Sequence, residues 1–509
     1  MSAAWTEGYF TDAAYTHGYY REMCPAYIRF CLLAAGVLPP PDEDFSYCEL
    51  AMGNGFSANI HAVSNPGKFS GMDFNPEHAA FAARLGARGQ SGLAVCDDSF
   101  EDFLQREHTG YDYVCLHGGW SWISARNREL VIEFLKKHLK PGGVFYLSYN
   151  CHPGWTAAAP LRKLFKVFEG CCPGDAPAAE RINGTLALTG EMLKAGPLFL
   201  NSSTWIQERF EALRKQPPEY LAHEFFNADW HIAYFSDVAK ELAEAKLSFG
   251  ASATVQNNIP GFGLTDEAKS YLERVSDPVM YQQLWDYFCN SQFRTDIFVR
   301  GAVRLNDVEQ REMLAAQRFI LTVPHSDILY SMDSGMGSFA LDAKAHSAVA
   351  MALAADDHRP KTLNEIHAQL GGRMNATQIF TVLARLIGKA YAAPCQNELM
   401  AAAFTERCHV FNAEILRRTA GSDELGHLAS PELGGGVPVP RLERMFLHAL
   451  WQGHELAQFA AQTLEDNREQ LTHNGKPVSS KAEIRRMLES SVDDFLNRSL
   501  PRLKALGIA

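Results

Sequence analysis

The sequence predicts an α/β chain whose first half is a Rossmann-like, doubly wound parallel sheet with a helical insertion, and whose remainder is mainly helical with a winged-helix-like unit. Three observations predict it. From Tyr47 onward short β-prone runs alternate with helix-length segments, the order that β-α-β units impose on a parallel sheet. A glycine-bearing turn, Gly53-Asn54-Gly55, joins the first run to the first helical segment. After Trp155 the alternation gives way to helical spacing.

Each element has its own reason. Apolar residues at helical spacing from Tyr19 to Leu38, stopped by Pro39, Pro40 and Pro41, predict a helix over the entrance to the sheet. Strands are expected over Tyr47 to Leu50, Lys68 to Asp73, Gly92 to Cys96, Tyr111 to His117 and Gly142 to Tyr149. Between them lie helices near Phe56 to Val63, Pro76 to Leu85, Phe100 to Glu107 and Arg128 to Leu139, the last closed by Lys140-Pro141-Gly142-Gly143. Leu247 to Val255 reads as a strand returning to the sheet, and Asp277 to Leu305 as a helical segment rich in aromatics and arginine. In Lys361 to Pro394, Thr362 with Glu365 and Asn375 with Gln378 have capping-box spacing, giving a helix, a turn, a helix and a short strand. Pro431 to Pro440 reads as a Gly and Pro rich linker within a helical remainder.

At 509 residues the chain exceeds one domain several-fold. With 47% hydrophobic and 21% charged residues it has the balance of a folded globular protein rather than a disordered one. A net charge of −12 with dispersed basic residues opposes nucleic acid as a partner, the winged-helix-like segment included. The absence of a long apolar run and of an export signal predicts no membrane association and a cytoplasmic location. The 11 cysteines are scattered without a C-x-x-C pair, and the His223-Glu224 start of a zinc-protease helix lacks its second histidine at Asn227, so no metal is expected.

The chemistry concentrates at strand ends. Glu49, four residues ahead of Gly53 in the turn that continues through Asn54 and Gly55, opens an acidic-x-small-x-Gly-x-Gly loop whose helix N-terminus offers free N–H groups. Glycines after a first strand also suit a nicotinamide dinucleotide, but that fingerprint needs a third glycine where Ala58 stands. An acid at position 49 suits the ammonium of S-adenosylmethionine (AdoMet), and a plain glycine turn is the bland alternative. Asp73, followed by Phe74, ends the second strand where a carboxylate can accept two ribose hydroxyls, or serve only as a turn residue. Asp98 and Ser99 could accept from an adenine amino group beside Phe100, or cap a helix. His117 and Gly118 end the fourth strand ahead of Trp120 and Trp122, and Tyr149 and Asn150 end the fifth ahead of Trp155.

The order of these motifs resembles the class I AdoMet-dependent methyltransferases. The His117 to Ile123 and Ser148 to Trp155 segments, with Tyr220 to Phe226, Tyr234, Phe235 and Phe293 to Arg300, resemble bacterial members with a methyltransferase regulatory domain, a group that includes the rickettsial protein lysine methyltransferases. The resemblance covers about the first 305 residues well and the C-terminal third loosely. It departs at Ala51, where the family usually has glycine, and across Tyr15 to Arg21. It implies AdoMet as cofactor, held by Tyr20, Glu49, Gly53, Asn54, Gly55, Asp73, Phe74, Asp98, Ser99, His117 and Gly118, with Tyr149, Asn150 and Trp122 at the acceptor.

In-line transfer to a lysine amine of a protein is the leading expectation, with a small-molecule methyltransferase and a non-catalytic AdoMet-binding regulator as rivals. The expected organisation is a helical cap over 1–45, an AdoMet-binding domain over 46–260 with its insertion near 156–235, and a helical regulatory or dimerisation region over 261–320. A winged-helix-like domain over 321–400 and a helical domain over 401–509 follow, and a homodimer is a candidate assembly.

Overall fold

The computed structural model describes residues 6, 8, 9, 17–173, 176–201, 204–334, 337–469, 471–473, 476–478 and 480–509. Tyr15 and Thr16, part of the N-terminal departure noted above, lie outside the described residues.

Seven strands make one sheet: β1 (Phe45–Leu50), β2 (Gly67–Met72), β3 (Ala94–Cys96), β4 (Tyr111–Leu116), β5 (Leu139–Asn150), β6 (Leu247–Ser252) and β7 (Phe293–Arg300). Their spatial order is β3-β2-β1-β4-β5-β7-β6. The first five run parallel, and β7 lies antiparallel between β5 and β6. This antiparallel insertion separates the fold from the all-parallel 3-2-1-4-5-6 order of dinucleotide-binding sheets. The strand order reverses between β1 and β4, so a crevice opens beyond the carboxyl ends of those strands.

Helices α1 (Pro25–Ala34), α2 (Phe56–Ser64), α3 (Pro76–Gly89), α4 (Phe100–Gln105) and α5 (Ala125–His138) come from the first half. The first is shorter than its apolar spacing suggests, because Pro25 at its first turn fixes the start. On one face of the sheet Tyr47, Tyr113 and Tyr146 share a core with Ile28 and Phe30 of α1, and on the other Leu116, Leu147 and Phe298 pack against α4 and α5.

The expectation of helix from Asp277 to Leu305 is corrected. A helix occupies only Pro278–Cys289, ending at Asn290 in a left-handed conformation (φ 48°), and Phe293–Arg300 is strand β7. Thr295, Ile297, Phe298 and Val299 favour a pleated surface, but Arg294 and Asp296 hide the strand, since ions in a central strand are tolerable only when paired. Arg294 pairs with both Asp296 and Asp286.

The insertion supplies α6 (Ala159–Glu169), α7 (Ala178–Lys194), α8 (Leu198–Asn201), α9 (Thr204–Leu213) and α10 (Pro218–Phe225). These bury a separate cluster around Trp155, Phe165, Phe210 and Phe225, above the crevice.

In the C-terminal half the strand Arg318–Leu321 pairs with Lys361–Thr362 and Ala392–Pro394, and both capping boxes form, at Thr362 with Glu365 and Asn375 with Gln378. Phe319 of this unit meets Phe30 of α1 edge-on at 5.4 Å. The long helix Glu398–Thr419 packs on α2 and α3, leaving every residue of α2 buried. Pro431 to Pro440, read as a linker, instead belongs to a buried hairpin, His427–Ser430 with Gly435–Pro438. Its glycines serve packing: a Cβ on Gly435 would lie 2.5 Å from the Tyr19 hydroxyl.

Candidate cofactor and acceptor site

The turn after β1 is built from left-handed residues, Ala51 (φ 50°), Gly53 (φ 55°) and Gly55 (φ 60°). Ala51 adopts there a conformation that costs a non-glycine residue on the order of 1–2 kcal/mol. The turn brings the Gly53 N–H to 2.8 Å from Asp73 Oδ2. Asp73 Oδ1 accepts from the Asn75 N–H at 3.0 Å and lies 3.1 Å from His78 Nδ1. A buried carboxylate fixed from both sides is thus presented at the end of β2.

A cavity of about 440 Å³ opens at this switch point. Tyr20, Gly53, Asp73, Phe74, Ser99, His117, Gly118, Trp122, Tyr149 and Asn150, all expected from the sequence, line it together. Glu49, Asn54 and Gly55 line a smaller cavity of about 20 Å³, large enough for one water, which shares Tyr20, Ala51 and His117 with the large one. Asp98 lines neither and pairs instead with Arg106. Ser99 does both things weighed for it: it accepts from the Asp102 N–H as the cap of α4 and also faces the cavity.

Three side chains have environments that set their charge. Burial pushes the Glu49 carboxyl up to about 8, with the Tyr47 hydroxyl 3.2 Å away as its hydrogen-bond partner. Burial pulls His117 down to about 4, leaving a neutral ring at pH 7 that stacks on Tyr20 at 3.9 Å and holds Nδ1 2.8 Å from the Tyr146 hydroxyl. Burial raises Glu224 to about 7, against the opposing pull of Arg209 and a hydrogen bond with Asn150.

Tyr149 lines the cavity, but its hydroxyl donates to Asp296 Oδ2 at 2.8 Å. That carboxylate also accepts from Arg294 Nε at 2.8 Å, and Arg294 Nη1 donates to Asp286 at 2.7 Å. The backbone of Asn150 is fixed by the Ser121 hydroxyl, which accepts from its N–H at 2.8 Å, and by Ala233, which donates to its carbonyl.

Sequence reasoning missed His78, Tyr9 and the insertion's contribution of Arg209, Tyr220 and Glu224. His78 sits five residues beyond Asp73 in the first turn of α3, a spacing that could have pointed to it. Tyr9 bridges the two halves, edge-on to Phe74 at 5.6 Å and stacked with His223 at 5.8 Å. Glu224 was visible as a carboxylate among apolar residues of α10, but nothing local says which cavity that helix faces. Among the described residues no group of three or more His, Cys, Asp or Glu side chains could hold a metal ion.

Residues 217–300 match a family described as a predicted methyltransferase regulatory domain. That segment is no separate body: it contributes α10 and both antiparallel-paired strands, β6 and β7, to the site's own sheet. Along its whole length the chain is similar to an uncharacterised protein of Synechocystis, 34% identical over 509 residues, covering 99% of this chain and all of that one. An uncharacterised Rickettsia prowazekii protein is 24% identical over 284 residues, 53% of this chain and 49% of that one. Among solved structures, PKMT2 from Rickettsia typhi in complex with AdoHcy superposes with a TM-score of 0.71 at 16% identity, covering 97% of this chain and 99% of that one.

Proposed function

The chain belongs to the same family as the full-length Synechocystis protein and has the class I methyltransferase fold, and from that premise we propose that it is an AdoMet-dependent methyltransferase acting on a lysine amine of a protein. The single observation that carries the reading is Asp73, a buried carboxylate held by the Gly53 N–H at the mouth of the switch-point cavity. The similar rickettsial fold in complex with AdoHcy, the product left when AdoMet gives up its methyl group, supports the same choice.

The residues present fit that cofactor. Asp73 is placed to accept the ribose hydroxyls, Phe74 and Phe100 to flank the adenine, and Glu49, across the small cavity, to receive the amino-acid ammonium. The cofactor supplies an electrophilic methyl group on a sulfonium. The chain's task is alignment and exclusion of water, and the aromatic side chains Tyr20, Trp122 and Trp155 and the neutral His117 wall the reacting space without adding charge. A protein substrate suits the insertion above the cavity, since a long side chain can reach in from the surface while its backbone stays outside. A cytoplasmic location is supported by eleven unpaired cysteines, eight of them buried.

Isothermal calorimetry should show AdoMet and AdoHcy binding with affinities on the order of micromolar. Absence of binding to the folded chain would reject the reading. Incubation with labelled AdoMet and a cell lysate should place label in protein; label in small metabolites alone would favour a small-molecule acceptor.

Binding should also depend on pH through Glu49. Its folded carboxyl, raised to about 8, is protonated at neutral pH, whereas pairing with an ammonium needs the carboxylate. AdoMet affinity is therefore expected to rise as pH increases through about 8, with release of a proton on binding at neutral pH. Calorimetry in buffers of different ionisation enthalpy measures that proton; Glu49→Gln should bind more weakly and lose the dependence.

A further inference from the structure

Resting on the methyltransferase reading, we propose that Glu224, brought by the insertion helix α10, is the base that removes the proton from the acceptor ammonium, with Asn150 and Arg209 as its positioning residues. A lysine enters as an ammonium with no lone pair to offer, so some group must take its proton before attack. Glu224 lies in the wall of the same cavity as Asp73, which the strand-end residues Trp122 and Asn150 also line. Asn150, at the end of β5, hydrogen-bonds its carboxyl, and Arg209 of α9 acts on it electrostatically while resting over the Trp155 ring at 5.0 Å.

The charged and titratable groups around it come from three elements. Arg209 belongs to α9, Tyr220 and His223 share α10 with it, and Asp229 lines the cavity from the following loop. Tyr220 is 42% exposed, which puts this wall at the molecular surface, where a long side chain can pass in. Arg209 disfavours a second cation and thereby favours the neutral amine beside Glu224. A carboxyl raised by burial to about 7 suits a base working near neutral pH, neither too weak to take a proton nor unable to release it.

The step balances. The ammonium N–H bond breaks as an O–H bond forms on Glu224, and the freed nitrogen lone pair forms the N–C bond while the C–S electron pair passes to sulfur. The products are a methylated ammonium, the thioether and a protonated Glu224, which returns its proton to water.

The test uses the full chain, labelled AdoMet at saturation and poly-L-lysine as acceptor. For the native chain the transfer rate should rise with pH through about 7. Glu224→Gln should bind AdoMet as the native chain does but transfer at least about 100-fold more slowly and lose that rise. Glu224→Asp should keep the rise at a reduced rate, and formate should partly restore Glu224→Ala. A readout independent of turnover is an infrared pH titration of the ligand-free chain, in which one carboxyl band titrating near pH 7 should vanish in Glu224→Gln. An undiminished rate or an unchanged pH profile in folded Glu224→Gln overturns the proposal, as does a native chain that binds AdoMet yet labels no poly-L-lysine. A native chain that binds no AdoMet instead overturns the methyltransferase reading beneath it.

Discussion

Replacing Arg294 by methionine is expected to destabilise the chain by about 3–5 kcal/mol, the cost of leaving buried charges without their partner. Arg294 is 6% exposed, Asp286 and Asp296 are 0% and 1% exposed, and the guanidinium makes four hydrogen bonds: Nε and Nη2 to Asp296, Nη1 to Asp286 and Nη2 also to Gln282. Burial works against its charge, and Asp286 and Asp296 together outweigh that, raising its pKa. The guanidinium also sits 4.3 Å over the Phe235 ring. Because Asp296 is shared with the Tyr149 hydroxyl, the same substitution should loosen β7 against β5 at the Tyr149 end of the cavity. Urea unfolding should show the lower midpoint, and hydrogen exchange should show lost protection across 293–300. A midpoint unchanged from the native chain would mean that the cluster contributes nothing net.

The second large effect is on binding. Asp73→Ala should weaken AdoMet binding by roughly 1.5–3 kcal/mol, on the order of 10- to 150-fold in Kd, through loss of charge-assisted hydrogen bonds. The substitution also frees the Gly53 N–H, so part of the loss arises from a loosened turn. Asp73→Asn separates the two contributions: it keeps one acceptor oxygen for the turn but removes the charge, and should fall between the native chain and Asp73→Ala. Calorimetry on variants with native melting behaviour measures both. Native affinity in folded Asp73→Ala would reduce Asp73 to a turn residue that merely clamps the glycine loop.

Much of the site is legible because it depends on local rules. A strand must end before a ligand can meet its carboxyl end, a tight turn must use residues that tolerate positive φ, and a ribose needs an acceptor at the next strand's end. Gly53, Asp73, His117 and Asn150 obey those rules within their own segments, and they meet in one cavity. Asp98 shows the limit of such reading. It has the right residue type in the right place, but Arg106, eight residues on, reaches back to engage it.

What the sequence by itself determined is the parallel βα core, its glycine turn and the carboxylate of Asp73, because hydrophobic period and turn chemistry act over a few residues. What only the tertiary structure decided is everything that rests on partners distant in the chain. Strand β7 is hidden by Arg294 and Asp296 until the distant Tyr149 of β5 donates to Asp296 beside the ion pair; the hairpin at Pro431 to Pro440 reads as a linker until Tyr19 packs on its glycines. Glu224 is an ordinary surface acid until α10 turns it into the cavity beside Asn150, where burial raises its pKa to about 7. Burial and charge pairing are properties of the assembled neighbourhood, and no window of sequence contains that neighbourhood.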